Sequence, residues 1–352
     1  MSSFLIFFTV FTVVILVGQL TLKVKTVREN HLLENLTVVI PFRNEENNLL
    51  TLINSLSKQS KQPKQFIFIN DHSTDSSVSI LETKADFEYT LLHLTENQGK
   101  KAALEKAIKQ AETNYILTLD ADVQLDEDYF FALYQIELQD VHILPVKISN
   151  APFSGFFNLD YYYLFALSNG LHFFKRPIVA SGANFLFKKE HFTAFLAQSD
   201  TQKISSGDDQ YFLNYLIENN VSVAQTTDKN VCVSTTIPTG FSELLYQRIR
   251  WIKKSASTQN ILPVLLGFIG FIYHIGSVLL FFFHQERIVE LVLIKVAFDS
   301  LVFYPYLVKI GERISLFKLL FFSMIYPFWI IFIGISAVFI QPKWKGRKVV
   351  NK

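Results

Sequence analysis

Cysteine is almost missing: Cys232 is the single one in 352 residues. No disulfide can form within the chain, and the composition fits a reducing compartment. Net charge is almost missing too, since 33 Lys and Arg against 31 Asp and Glu leave +2 at pH 7. That excludes the broad basic field of a nucleic-acid binder. No G-x-x-x-x-G-K-[ST] run occurs, so a P-loop ATPase is excluded. His172 and His191 have no partner at a metal-ligand spacing. What the chain does have is apolar bulk: 50% hydrophobic residues, 35 of them Phe, against 18% charged. This is too apolar for an ordinary soluble enzyme and too charged for a chain wholly in lipid, so a mixture of the two is expected.

The apolar residues are not evenly spread. Residues 1–22 carry no charge and are followed by Lys23, Lys25 and Arg28. A secretory signal peptide would have its positive charges first and a small-residue cleavage site after, and neither is present. The segment reads as an uncleaved anchor with its C-terminal side in the cytoplasm. Residues 261–283 and 319–340 lack Asp, Glu, Lys and Arg and can each cross a bilayer core of roughly 30 Å. Residues 288–308 hold Glu290, Lys295 and Asp299, which fits either a span with an internal ion pair or a helix lying at the interface. If all three segments cross, the basic tail 341–352 emerges opposite the middle domain, against the positive-inside rule. An arrangement with one of them flat returns the tail to the cytoplasm and is favoured here, although it leaves Lys309, Arg313 and Lys318 on the far side.

Between the anchors, residues 35–240 show short β-branched and aromatic runs, "LTVVIP", "QFIFIN", "YILTLD" and "VHILPV", the pattern of strands buried on both faces. "EENNLLTLINSLSKQ" and "KKAALEKAIKQAE" have helical three-and-four spacing. Alternating strand and helix predicts an α/β domain with a largely parallel sheet. Ligands of such sheets collect at the carboxyl ends of the strands. The polar clusters "PFRNEENN", "NDHSTDSS", "DADV" and "NQGKKAAL" fall there or at a helix start. Any one alone is ordinary turn and cap chemistry. Four that can converge on one edge favour a shared polar site. In "LTLDADV" the i, i+2 spacing puts Asp120 and Asp122 on one face of an extended chain, where they repel unless something positive sits between them.

"VVIPFRNEENNL", "INDHSTD", "NQGKKAAL", "LDADV", "GANFLFKKEHF", "GDDQ" and "QRIRW" resemble, in this order, the motifs of membrane-bound family 2 glycosyltransferases, the inverting group that includes cellulose, chitin and hyaluronan synthases. The resemblance covers residues 35–255. It implies a GT-A fold and transfer of a sugar from a nucleotide diphosphate sugar, a UDP-sugar first, to a lipid-linked or growing-glycan acceptor. It also implies a multi-pass protein of the cell membrane with its catalytic domain cytoplasmic, binding no nucleic acid. The domain expectation is an anchor at 1–22, the transferase domain at 35–240, a juxtamembrane segment at 241–260, two or three spans within 261–340 and a tail at 341–352.

By the same resemblance Asp122 is the principal ligand of Mg²⁺ or Mn²⁺, with Asp120 beside it and near the nucleotide. A divalent ion on hard oxygens would relieve their repulsion. Pro41, Arg43, Glu45 and Asp71 are expected to line the nucleoside pocket, and Lys100 to lie near it or the phosphates. Phe42 and Arg43 stand where the family more commonly has a small residue and Tyr. Asp209 matches the base that deprotonates the acceptor, and Asp208, where the family often has Glu, would raise its pKa. The blander reading of this pair is an acidic first helical turn. Gln247, Arg250 and Trp251 match Q-x-x-R-W, the Arg for the diphosphate and the Trp ring for the acceptor. Arg248, Lys253 and Lys254 read instead as a basic membrane anchor. Residues 153–174, rich in aromatics, are too polar for a span and read as core or membrane-lying. Two other readings remain: a sugar-phosphate nucleotidyltransferase, which would want an early Gly-rich loop with Arg and Lys, and a non-catalytic membrane protein that keeps the fold.

Overall fold

The computed structural model describes residues 2–149, 154–198, 208–238, 240–256, 260–341, 343–344 and 347–348. Two compact units share the chain: Val24–Ser149 with Ala180–Thr236, and Met1–Lys23 with Asn150–Val179 and Ile237–Asn351. In chain order the helices are α1 (Ser2–Thr21), α2 (Leu49–Ser57), α3 (Ser77–Lys84), α4 (Lys100–Gln110), α5 (Tyr129–Tyr134) and α6 (Ser154–Gly170). There follow α7 (Lys189–Gln198), α8 (Asp208–Glu218), α9 (Phe241–Ala256), α10 (Ile261–Phe283), α11 (Ile288–Lys309) and α12 (Leu316–Phe339). The strands used below are β1 (Leu36–Phe42), β2 (Gln65–Asn70), β3 (Thr90–His93), β4 (Tyr115–Leu119) and β5 (Gln124–Leu125). To these add β6 (Val141–Ile143), β7 (Val146–Ile148), β8 (Asn184–Lys188), β9 (Val223–Gln225) and β10 (Val233–Thr235).

The first unit is a mixed α/β domain. Its main sheet runs β3-β2-β1-β4-β8-β6-β9. The β3, β2, β1 and β4 strands are mutually parallel, as expected when α2, α3 and α4 return the chain between them. All seven residues of β1 are buried, which is why its sequence is a continuous apolar run. The β8 strand is antiparallel to β4, with Leu119 opposite Asn184. The residues just before β8 therefore reach the same edge as the residues just after β4. A small sheet, β5-β10-β7, completes the unit.

The second unit gathers apolar helices. Among the described residues, four segments are long and apolar enough to cross a membrane: Ser3–Thr21, Ile261–Phe283, Gln285–Lys309 and Leu316–Phe339. Helix α1 meets α6 where a Cβ on Gly18 would sit 1.8 Å from the Gly170 carbonyl oxygen, so only glycine permits that close approach. Gln19 ties three helices together, donating to the Ala166 carbonyl at 3.0 Å and the Val302 carbonyl at 2.8 Å. Lys309 donates to the Gln19 and Leu22 carbonyls at the end of α1. Its charge therefore serves a helix C-terminus rather than standing free as a topology signal. In α11 the charges turn inward: Lys295 and Asp299, 3% and 2% exposed, pair at 2.7 Å, while Val289, Leu293 and Tyr304 face out. Of the two readings of 288–308, packing supports the internal ion pair; an interfacial helix would turn its charges outward. Residues 154–170 form α6 within this unit rather than within the sheet domain.

Candidate active site

The carboxyl ends of β1, β2 and β4 share one edge of the sheet because the three strands are parallel, and most of the acids singled out in sequence lie there. Pro41 is buried and pairs with Ile69 of β2. The ladder between β1 and β4 has ended by Val39, so the missing N–H of Pro41 leaves no ladder bond unmade on that side. Beyond it, the loop after β1 is laced to the loop after β2. The Asn44 amide donates to Ser73 Oγ at 3.1 Å, the Glu45 amide to Ser77 Oγ at 2.8 Å and the Glu46 amide to Asp75 Oδ2 at 3.1 Å. Asn44 Oδ1 accepts in return from the Thr74 amide at 2.9 Å. Asn44 and His72 hold φ of 52° and 59°, left-handed values that cost a non-glycine residue energy and cluster at functional sites. Arg43 and Glu45 are half-buried on this loop, and Glu45 Oε2 accepts from Asn48 Nδ2 at 2.8 Å.

Asp71 is 6% exposed and is committed to the protein. Its carboxylate accepts from the Gln98 amide at 2.9 Å and the Gly99 amide at 3.0 Å. It therefore fixes the turn that starts α4, where Gly99 has a φ of 94°. Asp71→Ala is expected to strand those two amides and cost about 1–3 kcal/mol of stability, measured as a lowered denaturation midpoint. A midpoint equal to wild type would mean the amides find other partners.

The turn in turn aims Lys100, whose Nζ pairs with Asp120 Oδ1. An ammonium thus already sits on one of the two aspartates. Asp122 is different: loss of water first, then the charges of Asp120 and Glu45, push its carboxyl up to about 7 against the pull of Lys100. Four of the residues singled out in sequence are therefore within electrostatic reach of one another.

Asp209, in the first turn of α8, reaches the same edge. Its Oδ2 accepts from the Gly182 amide at 3.1 Å, and its Oδ1 from the Gln210 amide at 2.8 Å. A Cβ on Gly182 would lie 3.2 Å from Lys100 Nζ and 3.8 Å from Asp209 Oδ2, so the ammonium and the carboxylate flank one point. Asp208 begins α8, but its side chain is outside the described residues. Two residues here escaped sequence reasoning. Gly182 acts through its backbone amide and has no side-chain signal. Asn184, fully buried, donates to the Pro145 and Val231 carbonyls and accepts from the Tyr129 hydroxyl, pinning β8 in register. Both lie in "GANF", a quoted motif given no roles.

Gln247, Arg250 and Trp251 lie half-buried on α9, in the other unit. Arg248 is the correction. It is 4% exposed and ion-paired with buried Asp160 of α6, so it is not a membrane-surface anchor. Its Cζ stacks 4.2 Å from the centre of the Trp251 ring.

Among the described residues no three of His, Cys, Asp and Glu are grouped to enclose a metal ion. The donor set fits an ion shared with a substrate. Two hard carboxylates, one of them raised towards neutral pH first by burial and then by the charges of Asp120 and Glu45, would leave the remaining positions of a divalent ion to oxygens of a ligand and of water.

Residues 37–192 match the family model for glycosyl transferase family 2. The chain carries a family 2 glycosyltransferase domain. A relative, poly-beta-1,6-N-acetyl-D-glucosamine synthase of Staphylococcus aureus (strain MSSA476), is 32% identical over 97 residues, 27% of this chain and 24% of the relative. The synthase of the same name from Staphylococcus epidermidis is 33% identical over 110 residues, 31% of this chain and 26% of the relative. The matches thus span about a quarter of those relatives' length. A mannosyltransferase from Pyrobaculum calidifontis in complex with GDP-Man and Mn²⁺ superposes with a TM-score of 0.56 at 15% identity, over 96% of this chain and 98% of its own. At that identity the likeness is one of fold.

Proposed function

We propose that the protein is a membrane-tethered inverting glycosyltransferase that moves a sugar from a nucleotide diphosphate sugar, a UDP-sugar first, to a lipid-linked or growing-glycan acceptor at the cytoplasmic face. The observation that carries this reading is the gathering of Glu45, Lys100, Asp120, Asp122 and Asp209 at one edge of one sheet. The names of the glucosamine-polymer synthases are consistent with it.

Each group has a task. Asp122, with Asp120, would hold Mg²⁺ or Mn²⁺, which when bound would supply positive charge to the departing diphosphate. Lys100 adds a second positive charge on the donor side. Asp209, its carboxylate oriented by two amides, takes the proton of the acceptor hydroxyl as that oxygen bonds to the anomeric carbon and the bond to the diphosphate breaks. Pro41, Arg43 and Glu45 form the wall of the nucleoside site, with Asp71 shaping the turn above it. Gln247, Arg250 and Trp251 are the diphosphate and acceptor residues, and Asp208 assists Asp209.

The loop after β1 argues against a nucleotidyltransferase, since it is acidic, with Glu45 and Glu46, where a triphosphate needs Gly, Arg and Lys. Calorimetric titration tests this. Nucleoside diphosphate is expected to bind only with Mg²⁺ or Mn²⁺ present, and no more weakly than the triphosphate. Preference for the triphosphate would favour the nucleotidyltransferase.

The raised Asp122 carboxyl makes cation binding depend on pH. A carboxyl whose folded pKa is about 7 against an ordinary 3.8 stabilises the metal-free fold below the lower value. That contribution is lost as pH rises through the higher one. A cation competes with the proton, so its affinity should weaken by about tenfold between pH 8 and pH 6. Mn²⁺ titration at the two values, with affinity unchanged, would contradict the assignment of Asp122 as ligand.

The proposed orientation is supported by Lys23, Lys25 and Arg28 after α1 and Lys253 and Lys254 before α10, basic flanks of the kind that favour the cytoplasmic side. A cysteine replacing exposed Lys84, in a chain whose buried Cys232 is Ser, should react with an impermeant reagent only in broken cells. Labelling of intact cells would overturn the orientation.

A further inference from the structure

In the helical unit, one buried carboxylate meets three helices. Asp160 of α6 is 4% exposed. One of its oxygens accepts from Arg248 Nε of α9 and the other from the Tyr326 hydroxyl of α12 at 2.7 Å. Arg248 also reaches the Phe157 carbonyl with Nη2 at 3.4 Å, while its Nη1 is buried without a partner among the described residues. Its guanidinium carbon then lies 4.2 Å from the centre of the Trp251 ring, which Tyr161 approaches at 5.9 Å.

As a device for stability alone this is a poor one. Apolar side chains of similar volume commonly hold helices together as well as a buried ion pair does, and here a donor is left unsatisfied in the bargain. What apolar packing cannot supply is direction. A guanidinium held by a carboxylate in a fixed plane presents a flat cationic face, and an indole laid on it has its ring orientation set by that plane. The third contact, from Tyr326, fixes the carboxylate that fixes the guanidinium.

We propose that Asp160, Arg248 and Tyr326 are positioning residues for the Q-x-x-R-W helix. They set the plane of Trp251 from a buried charge inside the helical bundle. The inference rests on the transferase reading, in which Trp251 meets the acceptor. None of the three residues touches substrate in this scheme.

The test uses the full-length protein in detergent or lipid discs, with three readouts: donor binding by calorimetry, turnover, and acrylamide quenching of Trp251 fluorescence taken as the difference from Trp251→Phe. The double variant Asp160→Leu with Arg248→Met removes both charges and leaves neither one buried alone. It is expected to bind donor as wild type does, to expose Trp251 to quenching at least twofold more, and to lose roughly 10-fold or more in turnover, a typical cost of a misplaced contact. Tyr326→Phe should move the same two readouts in the same direction by a few-fold.

Turnover within twofold of wild type, with Trp251 quenching raised, overturns the proposal, and so does unchanged quenching. If the double variant does not accumulate, Tyr326→Phe decides, and wild-type turnover in it is the contradicting result. If wild type itself releases no nucleoside diphosphate from any donor, the transferase reading falls. The positioning claim is then judged by quenching alone, with protection equal to wild type counting against it.

Discussion

Asp122→Asn is expected to reduce transfer by on the order of 10³ and to weaken donor binding. The side chain keeps its size but can no longer offer a full negative charge to a cation, and a bound metal ion commonly supplies several kcal/mol of charge stabilisation, each 1.4 kcal/mol being tenfold in rate. The substitution should also remove the electrostatic cost that raises the Asp122 carboxyl, since that cost comes from burial and from Asp120 and Glu45 acting on a second charge. The metal-free variant should therefore be as stable as wild type or more so at pH 8, while being inactive. Loss of activity together with loss of stability would mean that Asp122 is structural. Activity equal to wild type, or wild-type activity indifferent to a chelator, would remove the metal assignment.

The second large effect separates a base from a binder. Asp209→Asn should keep donor affinity while the rate of transfer falls by roughly 10² or more, the usual scale for losing a general base. Its carboxylate is held by the amides of Gly182 and Gln210, and an asparagine oxygen can still accept one of those bonds, so the fold of the α8 turn should survive. Asp208→Asn should be milder, because its part is to assist its neighbour and the helix start. Two acids that merely stabilise a helix start would give similar, modest losses in both variants. Equal activities of the two variants would therefore sink the assignment of Asp209.

The parts of this molecule that were legible in its sequence are those whose function and packing share one pattern. The central strands β1, β2 and β4 read plainly because strands buried on both faces need uninterrupted apolar runs, and β1 is buried throughout. The acids after them read plainly because several polar clusters fall at the carboxyl ends of parallel strands, where they can converge on one edge. By contrast β3 lies at the edge, half-exposed along its length, and β5, β9 and β10 are two or three residues long, too short for any period to show.

The site was hidden wherever it uses backbone or distant partners. Gly182 contributes an amide and an absence of side chain, neither of which a residue type announces. Asp71 reads as a ligand-facing acid, while its part in holding the turn before α4 through the Gln98 and Gly99 amides has no local signal. Arg248 looks like an anchor because an arginine next to a span usually is one. What reverses the reading is Asp160, 88 positions away in sequence, and no local pattern reveals a pairing of that range.

The most direct measurement is nucleoside diphosphate release by the purified full-length protein, in lipid extracted from bacterial membranes, from a panel of UDP- and GDP-sugars. The account predicts release from at least one nucleotide sugar, abolished by a chelator, restored by Mg²⁺ or Mn²⁺, and lost in both Asp122→Asn and Asp209→Asn. Release from no donor in the panel, or release that persists in the Asp122→Asn protein with chelator present, would contradict it.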